Sequence, residues 1–301
     1  MLRLVPLVLL TAVAAAAVPP VYVDDDVIQT SFTTQLGKLA PQALAAVKLR
    51  PLIAADRTCK LTLPPPAAKR LDPEDVADAA HKSVLVFGSV VGDDGEYEAG
   101  RLATAWVLTA DGVAVTNWHV LDGAEDKERF GAMTWDGRTL PLVGVLAVDK
   151  VADIAVVQLD ATELTPLPLA RQSPRVGSWV GVLGHPGDRY FTFTQGHVSR
   201  YTAQKRADVP PERWMSITAD YAYGSSGSPV LDRTGAVVGM AALTEGLDYP
   251  ADEPPADKPK EPAAPPPAES DKPSRLQMVV KLVTPLAALR RAVGAGDGSE
   301  K

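Results

Sequence analysis

From residue 83 onward the sequence is a succession of short β-rich runs separated by turn signals, and this texture limits the fold more than any other feature. The two runs at 105–109 and 113–116 flank Asp111 and Gly112, a pair that is typical of hairpin tips. Similar runs occupy residues 83–91, 142–148, 154–159, 179–183, 191–198, 229–231, 236–240 and 277–283. Many short strands joined by close turns predict an all-β sandwich or barrel rather than a βαβ fold.

The first residues have the pattern of an export signal. Arg3 gives a short positive region, residues 4–13 are apolar, and the alanines at 15–17 offer a small-residue cleavage site. The uncharged stretch is broken by prolines and ends at Asp24, so its apolar part is shorter than the ~20 residues that a membrane span needs. We therefore predict a signal peptide at 1–17 and an exported protein, periplasmic or secreted, with no stable membrane span after cleavage. A retained N-terminal anchor is the alternative.

Residues 18–82 are predicted to form an N-terminal extension, because their hydrophobic periodicity is weak. Near its end, Asp72 and Pro73 with two following acids indicate a helix with Asp72 as N-cap that continues to about His81. Cys59 is the only cysteine, so no intrachain disulfide can form. No catalytic-cysteine motif surrounds it, and we interpret it as an isolated thiol rather than a nucleophile or a dimer link.

Two further features mark the C-terminal part of the chain. Residues 250–273 hold nine prolines among Ala, Glu, Asp and Lys, a composition that buries too little apolar surface to order itself. The strand pattern resumes at 277–283, and Pro285 then opens a final helix at 285–293. The proline tract is therefore predicted to be an insertion within the second unit of the fold, and no further domain is expected after the helix.

Composition excludes several classes of partner. The hydrophobic content of 46% supports a buried core, whereas the formal net charge of −7 and the lack of a Lys/Arg cluster argue against nucleic acid. The chain has four histidines and one cysteine and lacks a His-Glu-x-x-His motif. No metal site and no cofactor are therefore expected.

Ser226 is the strongest candidate for a nucleophile. It lies in the segment 224–229, Gly-Ser-Ser-Gly-Ser-Pro, whose glycines allow a tight turn with backbone N–H groups free to point at a developing oxyanion. A serine hydroxyl is a weak nucleophile at neutral pH and needs an adjacent base, most often histidine. His119 follows a predicted hairpin strand, and Asp153 opens an apolar strand later in the chain. A carboxylate there can hold the imidazole tautomer and stabilise the imidazolium.

Three sequence blocks resemble those of trypsin-like serine peptidases, specifically the bacterial HtrA/Deg-type branch. Residues 103–120 resemble the strand, hairpin and histidine block of the family, residues 148–155 its aspartate block, and residues 224–229 its serine block. Shorter segments between 176 and 199 match intervening stretches of the second barrel. The resemblance covers about residues 83–293.

The resemblance implies the chymotrypsin-like fold. This is an all-β fold of two packed six-stranded antiparallel β-barrels with a C-terminal helix, and the active site lies between the barrels. In this chain the trypsin-like domain would span residues 83–293, with barrels at about 83–160 and 165–284. No PDZ module is expected to follow it, so substrate tethering by such a module is not assumed.

For function, the resemblance implies a serine endopeptidase that acts on protein or peptide substrates. His119 would be the general base, Asp153 its orienting partner and Ser226 the nucleophile. The backbone N–H groups of Gly224 and Ser226 would form the oxyanion hole. A catalytically silent binding or envelope scaffold protein on the same fold is the alternative, because a fold alone does not guarantee activity.

The order of these residues along the chain excludes two other serine-hydrolase plans. An α/β-hydrolase needs its histidine after the nucleophile, but no histidine occurs beyond His197. The subtilisin order puts the aspartate before the histidine and rests on an α/β fold. His185 and His197 lie in second-barrel segments, and we interpret them as structural or rim residues.

Three residues are candidates for substrate binding. The Gly-Ser pair after the nucleophile resembles that of glutamyl endopeptidases, but the following strand lacks their histidine, so glutamate specificity is not expected. Ala241 and Ala242 of that strand are two of the candidates. Asp220 is the third, because it lies shortly before the nucleophile, where trypsin-like enzymes of basic specificity carry a pocket aspartate. It either pairs with a basic substrate residue or supports the loop.

Overall fold

The computed structural model describes residues 22–93, 95–204, 212–248 and 276–295. The predicted signal peptide and the predicted proline-rich insertion lie outside these residues. The described residues include twelve β-strands, which close into two barrels. Among the described helices, none has the length and apolarity required to cross a membrane.

The first barrel contains six antiparallel strands in the order β1-β2-β3-β6-β5-β4. They are β1 (Val84–Asp93), β2 (Glu96–Val107), β3 (Val113–Thr116), β4 (Glu128–Met133), β5 (Thr139–Asp149) and β6 (Ile154–Leu159). The barrel closes because β1 pairs with both β2 and β4.

The second barrel has the order β10-β11-β12-β9-β8-β7, again with antiparallel pairs. Its strands are β7 (Trp179–Gly184), β8 (Thr192–Gln204), β9 (Glu212–Ile217), β10 (Pro229–Leu231), β11 (Val237–Asp248) and β12 (Leu276–Pro285). The predicted pair of six-stranded antiparallel barrels is therefore confirmed.

Four described helices accompany the barrels. They are α1 (Asp25–Leu39), α2 (Ala46–Ile53) and α3 (Pro73–His81) before the first barrel, and α4 (Leu286–Ala292) after the second. Helix α4 begins directly after Pro285, which confirms the predicted C-terminal helix.

Strand β1 is buried on both faces. Leu85 and Phe87 join Phe130 in the core of the first barrel, whereas Val86 packs on the other face in a cluster with Phe32 of α1. Successive residues of a strand point to opposite faces, so a strand covered on both sides reads as a continuous apolar run. This burial explains why the start of β1 shows no polar alternation.

One cluster of buried side chains connects the two barrels. It includes Trp106 and Val115 from the first barrel and Val182 and Val230 from the second. All four side chains are almost completely excluded from water. Hydrophobic burial therefore fixes the position of one barrel against the other.

The described part of the N-terminal extension packs against the barrels, which its weak periodicity did not predict. Phe32 of α1 and Leu49 of α2 are buried, and Leu49 joins the core of the first barrel. Arg57 exchanges two backbone hydrogen bonds with Val148 of β5, each of 2.9 Å. The extension therefore contributes to the hydrophobic core, and the domain boundary at residue 83 stays a prediction.

Cys59 belongs to this extension and lies against the C-terminal helix. Its N–H donates to the Ala292 carbonyl oxygen of α4 at 3.0 Å. Burial raises the pKa of the Cys59 thiol above its usual value. A raised pKa disfavours the reactive thiolate form, which supports the interpretation of Cys59 as an isolated thiol.

Helix α3 confirms the predicted helix, with one correction. Asp72 stands at the N-cap position, but its side chain makes no capping hydrogen bond. Asp72 Oδ1 lies instead 3.1 Å from Arg233 Nη2 in the second barrel, and Arg233 Nε donates to the Leu71 carbonyl oxygen at 2.7 Å. Asp72 therefore links α3 to the second barrel rather than capping its first turn.

Strands β4 and β9 were not predicted from the sequence. Each begins with a Glu-Arg pair, and charged residues are uncommon in strands. Glu128 of β4 is nevertheless buried, because its carboxylate accepts a hydrogen bond of 2.6 Å from the Ser89 hydroxyl and pairs with Arg101 Nε at 3.1 Å. These partners compensate the cost of removing a carboxylate from water.

Candidate active site

The first barrel brings His119 and Asp153 together through neighbouring strands. His119 follows the end of β3 in a single 3₁₀ turn at residues 118–120, and Asp153 directly precedes β6. Strands β3 and β6 pair antiparallel, with Thr116 opposite Ala155. The end of one strand therefore lies beside the start of the other, and the two side chains meet.

Two hydrogen bonds connect this pair. The His119 backbone N–H donates to Asp153 Oδ1 at 2.9 Å, and His119 Nδ1 lies 2.7 Å from Asp153 Oδ2. Asp153 has φ of 56°, a left-handed conformation that aspartate tolerates better than most residues. The Asn117 side-chain amide donates to the Asp153 carbonyl oxygen at 2.9 Å. The carboxylate is thus fixed in direction and holds the ring of the histidine.

The second barrel supplies Ser226 from the loop before β10. His119 Nε2 lies 3.0 Å from Ser226 Oγ, so the histidine ring bridges the carboxylate and the hydroxyl. The Thr104 N–H of β2 donates to the Ser226 carbonyl oxygen at 2.8 Å. This bond ties the serine loop to the first barrel and keeps the serine opposite the histidine.

Gly224 and Ser226 present backbone N–H groups beside the hydroxyl. Among the described residues, neither N–H group has a hydrogen-bond acceptor. Gly224 has φ of 88°, and a Cβ atom there would lie 2.4 Å from the His185 carbonyl oxygen. Only glycine fits this conformation and this close approach. The two free N–H groups have the arrangement that an oxyanion hole needs.

Thr104 and Asn117 are positioning residues that the sequence analysis did not identify. The Thr104 hydroxyl donates to the Gly224 carbonyl oxygen at 3.0 Å and so fixes the peptide group that precedes Ser225. The Thr116 hydroxyl in turn donates to the Thr104 carbonyl oxygen at 2.8 Å. These two residues could have been found in the sequence as short polar side chains within or beside apolar strand segments. Burial of such a side chain requires a hydrogen-bond partner.

The carboxylate of Asp220 is already paired within the protein. Asp220 Oδ1 lies 2.8 Å from Lys281 Nζ, and the Asp220 side chain is 82% exposed whereas that of Lys281 is 11% exposed. The Thr194 hydroxyl donates to the Asp220 carbonyl oxygen at 2.6 Å. These contacts support the loop-supporting alternative over a pocket that receives a basic substrate residue.

Ala241 and Ala242 lie on β11 beside the serine loop, and both backbone groups of Ala241 make hydrogen bonds within the protein. Its N–H donates to the Ser228 carbonyl oxygen and its carbonyl oxygen accepts from the Gly227 N–H, both at 2.9 Å. Neither backbone group is therefore available to a substrate. The β11–β12 register shifts between Ala241 and Leu243, at Ala242. Ala242 therefore stays a candidate for contact with the substrate.

The two remaining second-barrel histidines stand apart from this arrangement. His185 is buried, and its Nδ1 accepts a hydrogen bond of 3.0 Å from the Phe191 N–H. His197 is exposed on β8. Within the described ranges, no group of three or more His, Cys, Asp or Glu side chains could hold a metal ion.

A serine, a histidine and an aspartate joined in this order at the contact of two six-stranded barrels define the class of trypsin-like serine peptidases. Residues 103–240 match the family model described as the trypsin-like peptidase domain. The resemblance to trypsin-like serine peptidases of the HtrA/Deg type that was drawn from the sequence is confirmed by this match and by relatives of that type.

Curated relatives agree with this assignment. The chain is 32% identical over 199 residues to the mitochondrial serine protease HTRA2 of Bos taurus, an alignment that covers 62% of the chain and 42% of that protein. It is 32% identical over 158 residues to a probable periplasmic serine endoprotease, DegP-like, of Hahella chejuensis, covering 51% and 32%. It is 31% identical over 191 residues to the putative serine protease HhoA of Synechocystis sp., covering 58% and 47%. The chain spans less than half the length of each of these relatives.

Proposed function

We propose that the protein is an exported serine endopeptidase that cleaves peptide bonds through an acyl-enzyme formed on Ser226. Ser226 Oγ attacks the carbonyl carbon of the scissile bond while its proton passes to His119 Nε2. Asp153 holds the ring in the productive tautomer and stabilises the imidazolium. His119 then gives the proton to the leaving amine nitrogen, and a water molecule repeats the sequence to release the acid product.

The observation that carries this proposal is the position of the His119 ring. One ring nitrogen lies 2.7 Å from the Asp153 carboxylate and the other 3.0 Å from the Ser226 hydroxyl. Both distances are in the hydrogen-bond range that proton transfer requires. The free N–H groups of Gly224 and Ser226 support the proposal further, because the negative charge that develops on the carbonyl oxygen needs donors of this kind.

Export rests on two further supports. Residues 1–17 have the pattern of a signal peptide, and one relative carries the word periplasmic in its name. Protein or peptide chains are the proposed substrates, because the relatives are named as proteases or endoproteases. We place the protein in the periplasm or outside the cell.

A fluorophosphonate probe tests the proposal directly. The purified protein should form a covalent adduct at Ser226, located by mass spectrometry, and should cleave a casein-type substrate. Ser226→Ala should abolish both. Ser225→Ala is the matched control, since Ser225 is the adjacent buried serine whose hydroxyl has no hydrogen-bond partner within the described chain. A wild-type protein that forms no adduct and cleaves nothing would favour the silent binding alternative.

A further inference from the structure

Cleavage at Ser226 requires room for the substrate side chain on the acyl side of the bond. With the carbonyl oxygen at the Gly224 and Ser226 N–H groups and the leaving nitrogen toward His119, the remaining substituent points away from both. That side is bordered by β11, because the Gly227 N–H donates to the Ala241 carbonyl oxygen at 2.9 Å. The residues that precede the nucleophile form the opposite border.

The side chain of Tyr221 lies between these two borders. Tyr221 belongs to the segment before the nucleophile and is only 5% exposed. Its hydroxyl lies 3.0 Å from the Leu243 carbonyl oxygen of β11 and 2.7 Å from the Leu282 carbonyl oxygen of β12. The ring must extend across the space between the loop and the two strands to reach both oxygens. Burial raises the pKa of the phenol, so the hydroxyl stays protonated and donates.

Tyr221 is also held at its backbone end. Lys281 Nζ donates to the Tyr221 carbonyl oxygen, lies 2.8 Å from Asp220 Oδ1 and sits 5.4 Å from the centre of the Tyr221 ring. Moving the ring would take the phenol O–H away from the Leu243 and Leu282 carbonyl oxygens and would expose apolar ring surface to water. The ring is therefore a fixed wall rather than a side chain that moves aside for a substrate.

Resting on the proposed peptidase function, we propose that Tyr221 determines specificity: its ring fills the acyl-side pocket beside Ser226 and confines cleavage to bonds that follow Gly, Ala or Ser. A larger side chain would overlap the ring, and a packed interior accommodates extra methylenes only at a cost. Asp220 does not receive a basic side chain in this arrangement, because Lys281 already neutralises it.

A cavity of about 650 Å³ adjoins the same ring. Tyr221, Asp220 and Lys281 line it, together with Thr194 and Met278. Gly224 and Ser226 are not among the described residues that line this cavity. Tyr221 therefore lies against a space large enough for a bulky side chain, and we expect truncation of the ring to extend this space toward the nucleophile loop.

The side-chain preference of the wild-type protein can be tested with peptidyl diphenyl phosphonates. The compounds of the series differ only in the residue bound to phosphorus. The rate constant for labelling Ser226, followed by mass spectrometry, should be at least about 100-fold higher for Ala than for Leu, Phe or Arg, because each ill-fitting methylene costs about 10- to 200-fold. Labelling by the Leu, Phe or Arg compound within about threefold of the Ala compound would overturn the proposal. A preference for Arg would restore the basic-pocket role of Asp220.

Three variants separate the ring from its surroundings. Tyr221→Ala should raise the Leu-to-Ala ratio of labelling rates at least about tenfold. Tyr221→Phe keeps the ring and should keep the preference for Ala. Tyr223→Ala is the matched control, because Tyr223 is 77% exposed in the same loop and its removal should leave the ratio unchanged. An unchanged ratio in Tyr221→Ala would also overturn the proposal.

Fluorophosphonate labelling of each variant keeps the two proposals distinguishable. A wild-type protein that fails to react with the small fluorophosphonate contradicts the peptidase function itself. A protein that reacts with it but accepts Leu or Phe as readily as Ala contradicts only the role of Tyr221. If Tyr221→Ala does not fold, the proposal is still tested by the wild-type protein and Tyr221→Phe, because both should reject large residues. Acceptance of Leu or Phe by either protein would overturn it.

Discussion

Two histidines flank the nucleophile loop, and each follows the end of a buried strand. His119 follows β3, and its ring contacts the Ser226 hydroxyl from the first barrel. His185 follows β7 in the second barrel, and its carbonyl oxygen lies where a side chain on Gly224 would have to go. The sequence context of the two residues is therefore similar, whereas their surroundings differ in charge and in access to water.

His119 is partly exposed and has the Asp153 carboxylate on one nitrogen. His185 is fully buried, accepts from the Phe191 N–H, and lies against the rings of Tyr190 and Phe191. Burial lowers the pKa of His185 to about 4, and the neighbouring His81 acts in the same direction.

The partner of ring nitrogen Nδ1 therefore decides what each histidine can do. A carboxylate stabilises the imidazolium and allows the ring to accept a proton from serine. A backbone N–H donor requires an unprotonated acceptor nitrogen, so it favours the neutral ring. His119 is suited to proton transfer, and His185 is suited to packing against the loop that carries Gly224, the proposed oxyanion-hole glycine.

The sharpest test of this difference removes the proposed catalytic side chains. Ser226→Ala, His119→Ala and the double variant should each lose on the order of 10⁶ in kcat, without additivity, because members of a triad act as one unit. His185→Asn should keep most of its activity at neutral pH. Hydrolysis of a peptide substrate that ends in Ala on the acyl side provides the measurement. Substantial activity in Ser226→Ala would contradict the role of Ser226 as nucleophile, and equal losses for the two histidine variants would contradict the different roles of His119 and His185.

The next effect concerns the glycine that lies against His185. Gly224→Ala should lower kcat by about 10²- to 10³-fold, because its Cβ would meet the His185 carbonyl oxygen and displace one oxyanion donor. Gly177→Ala is the matched control, since Gly177 also has a positive φ, of 85°, but no atom lies within 4 Å of the added carbon. Steady-state kinetics of both variants separates the contact from the backbone strain that they share. Equal losses would show that the close contact is unimportant.

Much of this site was predictable from the sequence, because three short blocks carry its residues. The order of His119, Asp153 and Ser226 within those blocks was enough to predict that the three side chains meet, which the hydrogen bonds between them show. The place of Tyr221 was not predictable, since it depends on two carbonyl groups of β11 and β12. Those strands pair with each other far along the chain from the tyrosine.

In the fold, too, features carried by the local sequence were predictable, whereas features that depend on contacts distant in sequence were not. The predicted apolar runs all fall on strands, but β2, β8 and β11 extend well beyond the runs that predicted them. Strand β4 was not predicted, because its charged Glu128 is neutralised by partners distant in sequence. Helix α1 presents a narrow stripe through Ile28, Phe32 and Leu36, one residue per turn. A stripe this narrow is a weak amphipathic signal, and the outer face of β1 that covers it cannot be recognised from the sequence.

The different protonation behaviour of the buried histidine predicts a stability change with pH. The folded pKa of His185 is about 4 against the usual 6.5, so the folded protein binds fewer protons than the unfolded chain between these values. The contribution of neutral His185 to the free energy of unfolding is therefore fully present above about pH 6.5. The free energy of unfolding falls by roughly 3 kcal/mol as the pH drops to about 4. Burial also lowers the pKa of His81, which adds a loss of the same sign.

Urea unfolding at pH 7 and pH 4.5 measures this change, in a Ser226→Ala background that prevents self-cleavage. His185→Asn retains an acceptor for the Phe191 N–H but cannot titrate, so the difference in unfolding free energy between the two pH values should shrink. His197→Asn, at an exposed position on β8, should leave that difference as in the parent protein. A parent protein equally stable at both pH values would contradict the buried neutral state of His185.

The smallest effect is expected for a change outside both histidine environments. Strands β11 and β12 remain paired up to Asp248 and Leu276, so the ends that flank the proline-rich segment lie side by side. Replacement of residues 251–273 by a short Gly/Ser linker should therefore change the unfolding free energy by only about 1 kcal/mol, since each doubling of loop length costs about 0.6 kcal/mol. Hydrolysis of a short peptide should stay unchanged, while cleavage of folded proteins should rise if the segment screens large substrates. Thermal melting and the ratio of protein to peptide cleavage test both statements. A melting loss of many degrees would show that the segment packs on the barrel, and an unchanged ratio would remove the screening role.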